Sequence, residues 1–260
     1  MTAPKPEWAR HAAVWIGYPS HAELWQDDLA PAREEVVAFA RAVHADGRGE
    51  TVILVAADPE AADDARARAP FAQVVVEPFG DIWLRDTGPI VGGDGTAHRF
   101  RFNGWGGKYD LPGDDDIGLR LARERGWRSP ITTGWSRGAL DGDGTGLVVT
   151  TEQCLLNPNR NAGFDRGAAE TRLRDDLGYD RVLWLGDGLL NDHTDGHVDN
   201  LARFVGPNRL AIPAAAENDP NWRIYQDAAA RAKAFGVDVV LVPSPAACCR
   251  PTRRSFRAAT

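Results

Sequence analysis

The chain has 260 residues, 43% of them hydrophobic and 26% charged, with a formal net charge of −7. That length buries one substantial core, or at most two small ones, and the composition excludes a disordered tail protein, a collagen-like repeat and a coiled coil. The acidic balance argues against nucleic-acid binding by phosphate neutralisation, and the longest apolar runs are strand-sized, so no membrane span is expected.

In chain order, Met1-Thr-Ala-Pro-Lys-Pro-Glu-Trp8 lacks the apolar stretch of a secretory signal. Residues 11–17 and 51–57 read as strands around a helix from about 31 to 45, with Pro31 in its first turn and Gly47 as its C-terminal cap. Residues 73–79 and 97–102 continue the strand series, followed by 147–151, 182–185, 198–205 and 209–212. Residues 239–243 read as a buried strand. Three helices, at about 117–125, 165–177 and 219–235, each end at a glycine: Gly126, Gly178 and Gly236, which lie 52 and 58 residues apart. A recurring ββαβ unit points to modules that bury their faces against one another, as in a propeller; the alternative is an ordinary α/β sheet.

The densest polar cluster is Asn191-Asp-His-Thr-Asp-Gly-His-Val-Asp-Asn200. As a strand, it places His197 and Asp199 on one face, an acid/base pair in which the carboxylate holds the imidazolium. The rivals are a metal site, with His193 and His197 four apart among acids, and a plain Asx-rich turn. A second cluster, Phe79-Gly-Asp-Ile-Trp-Leu-Arg-Asp-Thr-Gly-Pro89, follows a strand. An Asp86 presented beside the flat Trp83 suits a planar cation, bonded at its edge and stacked on its face. The alternative is an internal Arg85–Asp86 pair bracing the turn.

Phe102-Asn-Gly-Trp-Gly-Gly-Lys-Tyr109 has the glycines of a phosphate cradle without Walker spacing. Asn157-Pro-Asn-Arg-Asn161 reads as turn and N-cap chemistry. Cys154 reads as a buried, inert thiol, while Cys248 and Cys249 lie beside arginines in an atypical tail. Three cysteines without framework spacing indicate a reduced, cytoplasmic protein. Arg outnumbers Lys 27 to 3, the mark of a G+C-rich gene, and the last eleven residues carry four arginines and no acid.

Taken together, Glu7-Trp8…His11-Ala-Ala-Val-Trp15, Trp83-Leu-Arg-Asp-Thr-Gly-Pro89, Phe102-Asn-Gly-Trp-Gly-Gly-Lys108, Glu152-Gln-Cys-Leu-Leu-Asn-Pro-Asn-Arg-Asn161 and Thr194-Asp-Gly-His-Val-Asp-Asn200 resemble the agmatine deiminase / bacterial-type peptidylarginine deiminase family of guanidine-modifying enzymes. The resemblance runs to about Pro245. It implies a five-bladed α/β propeller (pentein) and hydrolysis of agmatine to N-carbamoylputrescine and ammonia, a step in putrescine and polyamine synthesis. In that chemistry a cysteine attacks the guanidinium carbon and a histidine protonates the departing ammonia, then activates water. By motif position His197 is the acid/base, Asp86 the guanidinium-binding carboxylate and Asp199 the partner of the His197 site. Trp83 walls the pocket. No cofactor, metal, nucleic acid or membrane is implied; the partner is a small guanidino substrate, and family analogy suggests a homodimer.

The sequence departs from the family pattern in three places. The family nucleophile lies in a C-terminal Gly-Gly-Gly-x-His-Cys segment that would fall beyond position 260. Ser136 stands where the family has the Glu of Glu-Gly-Gly. His193 stands where a carboxylate is frequent, with Asp192 as its substitute in substrate binding. These departures lead us to expect a pentein catalytic domain over 1–245, without its last blade, followed by an anomalous tail over 246–260. Back-translation of the tail in G+C-rich codons permits a frame, two nucleotides on, that resembles the family's continuation. Little or no deiminase activity and some self-association through an open sheet edge are expected. A non-catalytic guanidinium-binding module and a His/Asp metallohydrolase are the alternatives.

Overall fold

The computed structural model describes residues 2–129, 131–132 and 137–244, with backbone only for Ile131, Thr132 and Arg137. Ser136, Cys248, Cys249 and the tail over 246–260 lie outside the described residues.

The architecture is mixed α/β, with four three-stranded sheets among the described residues. The first contains β1 (Val14–Gly17), β2 (Val52–Ala56) and β3 (Gln73–Val76), all parallel. Its centre is β2, whose five residues are all buried. The helix Leu29–His44 crosses over from β1 to β2, and the helix Pro59–Arg68 from β2 to β3. The second helix starts where the sequence dictates: Pro59 occupies the first turn, and the Asp58 carboxylate accepts the Ala61 N–H at 2.8 Å. Its buried Ala61, Ala62 and Ala65 pack with Leu54 and Ala56 of β2 in one apolar cluster.

The other three sheets share one plan, an antiparallel pair followed by a helical crossover to a parallel strand. They comprise β4 (Ile90–Val91), β5 (Ala97–Phe100) and β6 (Ile131–Thr132); β7 (Asp141–Gly142), β8 (Leu147–Thr151) and β9 (Arg181–Leu185); and β10 (Arg203–Gly206), β11 (Arg209–Ala214) and β12 (Asp238–Pro243). The crossover helices are Ile117–Glu124, Arg166–Leu177 and Trp222–Phe235. The expected ββαβ unit is therefore present three times, and the first sheet differs by being wholly parallel.

These helices join neighbouring modules. Ile117 and Leu121 pack against Val55 and Ala57 of the first sheet region. Ala169, Leu173 and Leu177 cluster with Ile90 as well as with Val148 and Trp184. Tyr225, Ala228 and Ala232 cluster with Val149, Leu183 and Leu185 of the third sheet and with Leu210 and Ile212 of the fourth. Each helix thus buries apolar surface from its own module and the one before it, which neither could cover alone.

Helix ends follow the glycine reading in part. Gly178 and Gly236 cap their helices at φ +74° and +92°, and Gly126 (φ +69°) follows its helix one residue later. Gly47 is a correction: the helix Leu29–His44 ends at Ala45, which itself takes the left-handed cap position (φ +46°). Gly47 closes the following turn by donating its N–H to His44 Nδ1 at 3.2 Å.

Two strand readings are also corrected. Residues 198–205 are not one strand: Val198–Asn200 is a turn of 3₁₀ helix, and β10 begins only at Arg203. The strand at 239–243 is not buried: β12 pairs only with β11 among the described residues, and Leu241 is 54% and Val242 42% exposed. An apolar, β-branched run reads the same whether one face or both are covered. No helix among the described residues is long and apolar enough to cross a membrane.

Candidate active site

The site forms where three of the sequence clusters meet. Asp86 is carried by a short helical turn, Leu84–Thr87, that follows Trp83. His197 and Asp199 come from the turn before β10. His197 occupies the N-cap of the 3₁₀ turn that Asp199 joins (φ −52°, ψ 136°). The groups converge: His197 Nδ1 lies 3.5 Å from Asp86 Oδ1 and 3.8 Å from Asp199 Oδ1. The expected pairing of His197 with Asp199 is therefore present, made by a tight turn and not by strand alternation.

Two of the three groups are removed from water, and the Asp199 side chain is 20% exposed. His197 is 1% and Asp86 9% exposed. Burial, with the neighbouring Asp199 charge, pushes the Asp86 carboxyl up to about 6. Burial also raises Asp199. His197 is pushed down to about 3, first by burial and then by the Arg160 cation. Burial penalises whichever form is charged, so it moves acid and base in opposite directions. Once ionised, Asp86 and Asp199 face each other's charge beside a neutral His197, which leaves a pocket with unmet demand for a cation. Asp86 Oδ1 accepts the Gly138 N–H at 3.0 Å, and a Cβ at Gly138 would collide with both Asp86 Oδ1 and His197 Nδ1. The absence of a side chain at position 138 is thus a condition for the site.

Asp192 builds the turn. Its carboxylate accepts the Thr194 N–H (2.9 Å) and hydroxyl (2.7 Å), the His197 N–H (3.0 Å) and the Asn200 amide (3.4 Å). Burial raises its pKa, but these hydrogen bonds outweigh burial and hold it below the ordinary value. Trp83 is 53% exposed, and its indole N–H donates to Asp81 at 2.9 Å. Arg85 pairs with Glu7 and, at 3.8 Å, with Asp141.

His193 and His197 do not converge. His193 is exposed, with its Nδ1 3.4 Å from the Tyr109 hydroxyl, whereas His197 is buried. Among the described residues no three His, Cys, Asp or Glu side chains are grouped as a metal site would need. Cys154 is 1% exposed; burial pushes its thiol up to about 12, and Sγ lies 3.8 Å from the Thr194 carbonyl oxygen. Such a thiol is not a nucleophile at neutral pH.

Two features were not foreseen from the sequence. Arg160, within the segment read as turn chemistry, is buried with Nη2 3.1 Å from His197 Nε2. The glycine-rich loop braces the His197 turn: Lys108 Nζ donates to the His193 carbonyl at 2.8 Å and pairs with Asp195. Gly106 takes a left-handed backbone conformation (φ +86°) that side chains rarely adopt, and it lies so near Asn159 and Asp195 that an added Cβ would push them by a few tenths of an ångström. The only sequence signal for either was a charged residue placed among turn formers.

Comparison with known proteins gives the chain's relatives. The agmatine deiminase of Stutzerimonas stutzeri is 35% identical over 260 aligned residues, covering 92% of this chain and 70% of that protein. The solved agmatine deiminase of Enterococcus faecalis superposes with a TM-score of 0.83 at 28% identity, over 93% of this chain and 70% of that one. A substrate-bound agmatine deiminase of C. jejuni gives 0.81 at 26% identity, over 94% and 74%. Residues 3–258 match the model of the Porphyromonas-type peptidyl-arginine deiminases, and the chain belongs to that family.

Proposed function

We propose that this chain carries the guanidinium-binding and proton-handling machinery of an agmatine deiminase, the activity that hydrolyses agmatine to N-carbamoylputrescine and ammonia. The observation that carries this reading is the convergence of the partly buried Asp199 with the buried Asp86 and His197. Two carboxylates with raised pKa values bind a cation by regaining the charge partner that burial denies them. A planar guanidinium also offers paired N–H donors that a point-like ammonium lacks. The names of the relatives support agmatine as the guanidino compound.

In the proposed reaction Asp86 and Asp199 grip the guanidinium nitrogens and keep the charge localised. His197 delivers a proton to the departing ammonia and later takes one from the incoming water. Trp83 lies at the rim as a flat wall, and Asp192 holds the turn on which His197 rides. The covalent step needs a cysteine thiolate, and the buried thiol of Cys154 is unsuited to it.

The four sheets are read as four blades of the five-bladed pentein propeller, the three hairpin-and-crossover units being the supporting observation. A cytoplasmic homodimer completes the proposal, and sedimentation of the purified chain tests the dimer.

Calorimetry of the 260-residue chain with agmatine is the test of function. Saturable binding that arginine-like guanidino compounds compete for, with no ammonia release, is expected. A folded protein that takes up no agmatine would overturn the proposal, and so would ammonia release that survives substitution of Cys154, Cys248 and Cys249 by Ala.

A further inference from the structure

A pocket built to bind a guanidinium faces a difficulty that the chain itself creates. Arginine carries the same planar head group as the ligand, and Arg85 stands next to Asp86 on the turn Leu84–Thr87. A head group tethered so close has an effective concentration on the order of millimolar or more. Arg85 Nε is also buried without a hydrogen-bond partner among the described residues, so the side chain has a standing demand for an acceptor. Its terminal nitrogens nevertheless go elsewhere, to Glu7 and, at 3.8 Å, to Asp141.

We propose that Glu7 and Asp141 are positioning residues that hold Arg85 and Arg203 away from Asp86 and Asp199, so that the two site carboxylates are left open to an incoming guanidinium. The inference rests on the reading of Asp86 and Asp199 as the guanidinium-binding carboxylates. It adds what keeps the chain's own guanidinium groups from filling their site.

The four side chains form a closed square. Arg203 Nη2 lies 3.5 Å from Glu7 Oε1 and 3.3 Å from Asp141 Oδ1, and Arg85 meets the same two carboxylates. Two cations face two anions, so neither arginine is left with a charge to be met elsewhere. Asp141 is the inner corner. It is 2% exposed, and its Oδ2 accepts the Phe204 N–H at 2.7 Å, which ties the square to β10 just past the Asp199 turn. Glu7 is the outer corner, with a side chain 47% exposed. The N-terminal segment brings it there: the Thr2 carbonyl accepts the Gly93 N–H at 3.1 Å, and the Pro6 ring packs so closely on Gly144 that a Cβ there would collide with it.

Both arginines act on the site through space. Arg85 and Arg203 each lower the Asp199 carboxyl against the effect of burial, and Arg85 lowers Asp86 as well. Without the Glu7 charge, two permanent cations would share the single carboxylate of Asp141. Asp86 and Asp199 would then offer Arg85 the acceptors it lacks. If Arg85 filled them in about nine molecules of ten, the apparent affinity for an external guanidinium would fall about tenfold, because only the open fraction binds.

The test uses the full 260-residue chain and the substitution Glu7→Gln, alone and in an Arg85→Met background. Without ligand, ¹³C-aspartate spectra follow the titration of the Asp199 carboxyl, assigned with Asp199→Asn. Glu7→Gln should lower its midpoint by about one pH unit or more as Arg85 closes on it, and should move it little once Arg85 is replaced. In the calorimeter, Glu7→Gln should weaken agmatine binding about tenfold. Glu7→Gln with Arg85→Met should bind within about twofold of Arg85→Met alone. Equal effects of Glu7→Gln in the two backgrounds, or none in the wild type, overturn the proposal. A wild type that binds no agmatine sinks the agmatine reading by itself, and the ligand-free titration still decides this one. A further measurement needs no Glu7 variant: a guanidinium held at both terminal nitrogens rotates slowly, so wild-type Arg85 should give separate ¹⁵N signals for Nη1 and Nη2. One averaged signal overturns the proposal even where Glu7→Gln fails to fold.

Discussion

Replacing Asp86 by Asn should make the protein more stable and its ligand binding weaker. The Asp86 carboxyl titrates at about 6 in the folded chain against an ordinary value of 3.8, through burial and the Asp199 charge. A gap of about two pH units corresponds to roughly 3 kcal/mol at 1.36 kcal/mol per unit. The sign follows from which state holds its proton longer. Below about pH 4 both folded and unfolded chains are protonated at this site, and no penalty exists. Between about pH 4 and pH 6 the unfolded chain ionises first, so the folded state loses stability as pH rises; above about pH 6 the full loss applies. Asn mimics the protonated form and can still accept the Gly138 N–H through its amide oxygen. Urea unfolding at pH 8 should therefore show Asp86→Asn more stable by roughly 3 kcal/mol, a gain that fades toward zero near pH 4. Agmatine affinity should fall by roughly 10- to 150-fold, the loss of a hydrogen bond to a charged group at about 1.5–3 kcal/mol. A stability difference that is absent at pH 8, or that does not change with pH, would refute the claim that a strained carboxylate waits there for a cation.

Gly138→Ala should destabilise by about 1–3 kcal/mol or more, because the added methyl meets Asp86 Oδ1 and His197 Nδ1 with no open space; unchanged urea unfolding would contradict the packing described. Asp192→Ala should cost on the order of 2 kcal/mol, since it strands the N–H groups of Thr194 and His197. Asp192→Asn, which keeps one acceptor oxygen, should cost less. Because hydrogen bonding holds Asp192 below its ordinary pKa, its contribution should be present above about pH 4 and disappear as pH falls through the folded value. Peptide mapping after iodoacetamide treatment at pH 8 should find Cys154 unmodified in the folded protein and modified in urea. Calorimetry should find agmatine binding unaltered by Cys154→Ala; native labelling of Cys154 would show that its thiol is not buried as described.

The sequence by itself determined the modules. Apolar strands, capped helices and the glycines at 126, 178 and 236 are local instructions, and they hold wherever the chain is placed. It also determined that Asp86, His197 and Asp199 would be site candidates, because carboxylates and histidines clustered beside glycines after strands are scarce in cores and common at sites. Burial of β12 was not legible, since exposure depends on what packs against a strand and not on its own residues. Nor was the path of 198–205, where a tight turn and a strand both place His197 near Asp199 and only the backbone chooses between them. Arg160 and Gly138 show the same limit most plainly. One lies 37 residues before His197 and the other 52 residues after Asp86. No local pattern records that an arginine will reach the back of an imidazole or that a methyl would not fit. Those relations exist only when separate modules pack, because burial and the charges facing each group are properties of the assembled fold.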